Sequence, residues 1–171
     1  LKKLDLSSNK LYGEIPNLSS LSNLTYLNLS NNDFTADVWS SYSNLPNLEE
    51  IYVGHNNCNI SNTDFSRFSG LKSLDISKLN LTEIPASLGS LQKLSSLNVS
   101  NNAIVSFSNL SSLNQLQELN LANNNLKKVP SEIINFISLK SLDLSNNIIT
   151  DFSSLSNLIN LEWLSLENNS L

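Results

Sequence analysis

The chain is 171 residues long, 40% hydrophobic and only 15% charged, with a net charge of −5. Its cations are nine Lys and the single Arg67, too few to build the basic face that nucleic acid demands. No run of about 18 apolar residues occurs, so no segment of this sequence inserts into a membrane as a helix, and the lone Cys58 excludes an internal disulfide.

In chain order, the sequence repeats the pattern LxxLxLxxN. Copies begin at Leu1, Leu24, Leu48, Leu71, Leu94, Leu116, Leu139 and Leu161, at intervals of 22 to 24 residues. The first reads Leu1-Lys2-Lys3-Leu4-Asp5-Leu6-Ser7-Ser8-Asn9. Within each copy the fourth and sixth residues alternate with polar ones, the period of a short strand. Eight such strands are expected, one per copy, stacked in parallel about 4.8 Å apart. The first, fourth, sixth and eleventh positions turn inward, and each Leu that leaves water contributes roughly 1.5–3 kcal/mol. Cys58 holds the eleventh position of its copy, where Leu11, Phe34, Leu81, Ile104, Leu126, Ile149 and Leu171 stand elsewhere, so it is expected in the core as a small apolar residue.

The ninth position is Asn9, Asn32, Asn56, Asn102, Asn124, Asn147 and Asn169, with Leu79 in the fourth copy followed by Asn80. An amide both donates and accepts, and a buried backbone group left without a partner costs roughly 1–3 kcal/mol. A local adjustment is therefore expected between copies three and five.

The second half of each copy varies. Copy one reads Leu11-Tyr12-Gly13-Glu14-Ile15-Pro16, and copy two follows it loosely through Phe34, Ala36, Val38 and Trp39. Copies four and six carry Leu81, Ile84, Pro85, Leu88 and Leu91, and Leu126, Val129, Pro130, Ile133 and Phe136. Pro fits the first turn of a short helix, so helical turns are expected there. Copies five and seven lack Pro and read Ile104, Phe107, Leu110, Leu113 and Ile149, Phe152, Leu155, Leu158.

A repeat of 20–29 residues with this pattern resembles the leucine-rich repeat family, and the resemblance covers the whole chain. It implies an α/β solenoid: a curved stack with a parallel β-sheet on the concave face and loops or short helical turns on the convex face. In the family the ninth-position Asn forms a ladder that satisfies backbone groups at the turn leaving the strand. The Leu11–Pro16 segment resembles the LxGxIP signature of plant extracellular receptors. The 22-residue copies resemble the class found in bacterial surface proteins and a phosphatase regulator. One repeat domain over residues 1–171, its last copy incomplete, is expected. The chain opens and stops inside the motif without capping units, as expected of a fragment of a longer protein.

Positions two, three, five, seven and eight are expected on the concave face, most of them solvent-facing filler. The exceptions cluster on copies two to four: Tyr26, Glu50, Tyr52, His55, Asp75 and Lys78. Exposed aromatics flanked by charges suit a binding patch, because Tyr supplies apolar area at low entropic cost. Trp163 is a second anchor or a packing residue toward a further repeat. His55 has no second His and no Cys ligand to complete a metal site, and no motif places a nucleophile with it. A non-catalytic chain without cofactor is expected.

Glycosylation sequons begin at Asn17, Asn23, Asn28, Asn59, Asn80, Asn98, Asn109 and Asn168, though a chain with 29 Asn produces most of these by composition. The leading functional expectation is a recognition module for a protein, peptide or glycan in a surface or secreted glycoprotein. A self-associating structural solenoid and an intracellular protein-interaction scaffold stand as alternatives.

Overall fold

Leu at the fourth position, flanked by polar residues, builds one three-residue strand per repeat. The computed structural model describes residues 1–35, 45–106 and 110–171. The positions Ala36, Val38, Trp39, Phe107 and Asn109 singled out above lie outside the described residues. The strands in chain order are β1 (Lys3–Asp5), β2 (Tyr12–Gly13), β3 (Tyr26–Asn28), β4 (Asp33–Phe34), β5 (Glu50–Tyr52), β6 (Ser73–Asp75), β7 (Ser96–Asn98), β8 (Glu118–Asn120), β9 (Ser141–Asp143) and β10 (Trp163–Ser165).

All strands but β2 and β4 form one parallel sheet in sequence order. Register is strict: third position faces third and fifth faces fifth, as in Tyr26↔Glu50↔Ser73 and Asn28↔Tyr52↔Asp75. The ladder runs on past the strands, with Leu6 N–H to Asn28 O at 2.8 Å and Ser8 N–H to Ser30 O at 2.9 Å. β2 and β4 add a small parallel sheet that the sequence pattern did not announce, pairing Tyr12↔Asp33 and Gly13↔Phe34. Gly13 sits there at φ +78°, backbone that favours glycine.

The core is a ribbon of stacked positions. Leu27, Ile51, Leu74, Leu97, Leu119 and Leu142 line the fourth column, and Leu29, Val53, Ile76, Val99, Leu121 and Leu144 the sixth, all buried. Cys58 is buried with Phe34 and Leu81 in the eleventh column.

The asparagine ladder ties repeat to repeat. Asn56 donates to Leu29 O of the preceding repeat (3.0 Å) and to its own Val53 O (2.9 Å), while its Oδ1 accepts the Phe34 N–H at 3.1 Å. Asn32, Asn124, Asn147 and Asn169 repeat this arrangement. At the fourth repeat the break is absorbed by the backbone. Leu79 is buried, both Lys78 (φ 50°) and Asn80 (φ 58°) are left-handed, and Asn102 Oδ1 accepts the N–H groups of Leu79 and Leu81, each at 3.0 Å.

The convex side carries 3-10 turns at Phe65–Arg67, Ala86–Ser90, Ser131–Asn135 and Ser153–Asn157. Pro85 and Pro130 precede their turns as extended cap residues, at φ −53°, ψ 125° and φ −59°, ψ 134°, and do not occupy the first turn. Ser153–Asn157 forms without Pro, started by Asp151 Oδ1 accepting the Ser153 N–H at 2.9 Å. Phe65–Arg67 is likewise opened by a side chain, Asp64 accepting from Ser66 N–H.

Candidate functional site

Much of the concave face is framework. Asp or Asn at the fifth position accepts the backbone N–H two residues on, at 2.8–3.1 Å, in Asp5, Asn28, Asp75, Asn98, Asn120 and Asp143. Such Asx-turns end the strand and start the turn. Neighbouring members also touch, Asn98 Nδ2 donating to Asp75 Oδ2 at 3.1 Å. Asp75 is thus committed at both carboxylate oxygens. The seventh position, expected to face solvent, is instead buried at Gly54, Ser77, Ser100, Ala122 and Ser145, because the chain turns inward as it leaves the strand.

Tyr52 breaks the fifth column, and its partner at the seventh position is Gly54. A Cβ on Gly54 would stand 2.6 Å from Asp75 Oδ1 and against Ser77 Oγ, so a larger residue there makes the side chains of repeat four shift. Freed from the Asx-turn, Tyr52 turns its hydroxyl sideways. It donates to Glu50 Oε2 at 2.9 Å and lies 3.3 Å from Ser73 Oγ. Its ring meets Tyr26 at 5.5 Å between centroids, tilted by 43°. Lys3 Nζ stands 5.4 Å from the centre of the Tyr26 ring, a cation–π distance. Asn28 Nδ2 reaches the Tyr26 hydroxyl at 3.3 Å. Partial burial raises the Tyr52 phenol above its ordinary 10.0; the Ser73 hydrogen bond opposes this, and the bond to Glu50 and its charge add to it. The Asp5 carboxyl is held low by the Ser7 hydroxyl and backbone N–H.

The candidate residues therefore fall into three places. Tyr26, Glu50 and Tyr52 form one patch on β3 and β5, with Asp75 beside it in the fifth-position ladder. Lys3 and Ser73 belong to that patch too; they share the third-position column with Tyr26 and Glu50, and that column was the signal for them. His55 and Lys78 lie instead on the turns that follow the strands. Both are exposed and left-handed, at φ 58° and 50°. They border a depression of about 470 Å³ with Asn9, Asn31, Asp33 and Asn80, a depression that Tyr26, Glu50, Tyr52 and Asp75 do not line. Trp163 on β10, about half exposed, borders a second depression of about 290 Å³ on the sheet together with Ser96, Glu118, Asn120, Ser141 and Asp143. It thus opens onto the same concave surface as the Tyr pair, several strands away.

Among the sequons, Asn17, Asn28, Asn59 and Asn98 accept the N–H two residues on, at 2.9–3.1 Å, so the sequon spacing there is also Asx-turn spacing. Asn17, Asn23, Asn59, Asn80 and Asn168 are exposed, and Asn28 and Asn98 are partly buried in the fifth-position ladder. Among the described residues no group of three or more His, Cys, Asp or Glu is gathered to hold a metal, and no helix is long and apolar enough to cross a membrane.

Models of the leucine-rich repeat family match residues 1–58, 22–81, 69–126 and 114–157. Receptor-like protein 6 of Arabidopsis thaliana is 37% identical over 110 residues, which is 60% of this chain and 11% of that protein. The chain thus spans only a small part of the curated relatives it matches, 16% of the calmodulin-binding receptor kinase CaMRLK of Arabidopsis thaliana being another case. Among solved structures, a leucine-rich repeat protein of Leptospira interrogans superposes with a TM-score of 0.90 at 30% identity, over 99% of this chain and 44% of that one. The Arabidopsis receptor kinase HAESA, solved in complex with the peptide hormone IDA and the co-receptor SERK1, superposes with a TM-score of 0.81 at 28% identity, over 98% of this chain and 30% of its own.

Proposed function

The chain belongs to the leucine-rich repeat family, and we propose that it is a recognition module whose concave sheet binds a partner protein or peptide. One observation carries this reading. Tyr52 stands alone in a fifth-position column otherwise of Asp, Asn and Ser, and it meets Tyr26 of the neighbouring strand, the hydroxyls of the pair fixed by Asn28, Glu50 and Ser73 and one ring backed by Lys3. A pre-ordered aromatic pair loses little entropy when it meets a ligand, which is the property of a hot spot. Glu50 supplies charge beside it, and Trp163 serves as a second anchor on the same sheet. An extended segment lying across the strands meets both.

The likeness to receptor ectodomains, one of them solved with a peptide hormone, supports a peptide or protein ligand and an extracellular or cell-surface setting. The chain acts by binding and not by catalysis. Glycans, in that setting, sit on the exposed Asn17, Asn23, Asn59, Asn80 and Asn168 and leave the sheet open.

Selection of a random-peptide display library on the immobilised chain tests the proposal. Enriched peptides are expected to lose at least about tenfold in affinity on Tyr52→Ala and on Glu50→Lys, with unchanged circular dichroism; this is the range of a hot-spot truncation. Peptides that bind both variants as tightly as the original chain overturn the patch.

A further inference from the structure

We infer that the ledge formed by the post-strand turns of repeats one to four is a second binding site, for an acidic saccharide whose carboxylate is held by Lys78 and His55. The eighth position is left-handed in every repeat, and five of the eight residues there are Asn: Asn31, Asn101, Asn123, Asn146 and Asn168. Asn tolerates this conformation through its short polar side chain and His is also enriched in it, whereas a lysine is strained there. His55 and Lys78 adopt it on consecutive repeats, at φ 58° and 50°. Strain retained at Lys78, where the next repeat carries the relaxed Asn101, points to a use for that side chain, and His55 stands beside it on the preceding turn.

The ladder holds them in line. His55 N–H bonds Ser77 O at 2.9 Å, and Lys78 N–H bonds Ser100 O at 2.9 Å. Consecutive turns therefore stack at the spacing of the strands, about 4.8 Å. Both side chains are exposed, and Lys78 joins no ion pair among the described residues. They border the depression of about 470 Å³, within the roughly 300–1,000 Å³ of small-molecule sites.

Its other walls decide the ligand. Asn31, Asn80 and Asn57 present exposed side-chain amides, and Asp33 a carboxylate. No exposed apolar side chain lines it, which disfavours an apolar or aromatic ligand. Amides and a carboxylate pair with hydroxyl groups as donors and acceptors. Lys78 and His55 supply charge-assisted and neutral N–H donors for an anionic oxygen. A ligand with one carboxylate among many hydroxyls, a uronic acid unit, satisfies all of these walls. An anionic peptide leaves Asp33 facing like charge without a hydroxyl to bind.

Calorimetric titration with tri-galacturonate, against maltotriose and triglutamate as comparators, tests this. Tri-galacturonate is expected to bind at millimolar concentration or below, and both comparators at least tenfold more weakly. Lys78→Asn and His55→Asn install the residue that neighbouring repeats carry at this position. Both variants are expected to keep or raise the melting temperature; Lys78→Asn weakens tri-galacturonate about tenfold, the effect of one charge-assisted hydrogen bond, and His55→Asn weakens it less. Tyr52→Ala leaves saccharide binding unchanged, which separates this site from the sheet patch. Equal binding of maltotriose, equal binding of triglutamate, absence of heat at millimolar tri-galacturonate, or an unaffected Lys78→Asn variant each overturns the inference.

Discussion

Replacing Asn124 by Ala isolates what the asparagine ladder contributes. Asn124 Nδ2 donates to Val99 O (3.1 Å), Leu121 O (3.0 Å) and Ala122 O (3.3 Å), and Oδ1 accepts the Ile104 N–H at 3.0 Å. The three carbonyls have other partners: Asn102 Nδ2 on Val99 O, Asn147 Nδ2 on Leu121 O and Asn101 N–H on Ala122 O. Among the described residues the Ile104 N–H has no other partner, and Ile104 is fully buried. The variant therefore orphans one buried donor, at about 1–3 kcal/mol, and removes a side chain that is itself only 6% exposed. A loss of about 2–3 kcal/mol is expected, measured by urea denaturation followed by far-ultraviolet circular dichroism. In a chain of this length that lowers the melting temperature by about 4–12 °C. Asn9→Ala is the control: Asn9 is exposed and donates only within its own repeat, to Leu6 O and Ser7 O. A loss at Asn124 no larger than that at Asn9 refutes the reasoning.

Gly54→Ala forces a Cβ to within 2.6 Å of Asp75 Oδ1 and onto Ser77 Oγ, and is expected to cost about 1–3 kcal/mol by the same denaturation assay. Gly70→Ala, whose nearest approach is 3.4 Å to Leu48 O, is expected to cost less. Tyr52 has a raised phenol pKa in the fold, so the unfolded chain ionises first as pH climbs through 10.0. Its contribution to stability is intact below that value and is lost between it and the higher folded one; Tyr52→Phe is expected to flatten the alkaline decline in melting temperature. Peptide mass spectrometry on secreted protein is expected to find glycan on the exposed Asn17, Asn23, Asn59, Asn80 or Asn168, and bare asparagine at Asn28 and Asn98.

The stack and its core were legible in the sequence because period and burial are the same fact in a solenoid. In the inner repeats the apolar residues at the fourth and sixth positions are all buried, and seven of eight ninth-position residues announce the ladder. The break at Leu79 announced an adjustment, but its form, a second left-handed residue at Asn80 with Asn102 accepting two N–H groups, depends on backbone angles that no pattern of residue types prints. The fifth-position Asp and Asn read as solvent-facing filler are turn-formers, and the seventh-position residues they hold are buried. Ser153–Asn157 shows that Asp151 starts a helical turn where Pro was taken as the signal.

The site was legible only as departures from the repeat. Tyr26, Glu50 and Tyr52 stand out in their columns and do meet on the sheet, since strict register turns column neighbours into spatial neighbours. His55 and Lys78 stand out in the same way but lie on the turn ledge, because the chain leaves the sheet after the fifth position. Gly54 was unremarkable as a residue, and the tightness of its surroundings appears only in the approach of Asp75 and Ser77.

The most direct test of recognition through the sheet is a map of side-chain and amide nuclear magnetic resonance shifts on titration with a peptide selected on the chain. Binding through the sheet gives the largest changes at Tyr26, Glu50 and Tyr52, with the Trp163 indole moving in the same titration. Changes confined to the convex turns at Ala86–Ser90 or Ser131–Asn135, with the Tyr signals still, contradict it.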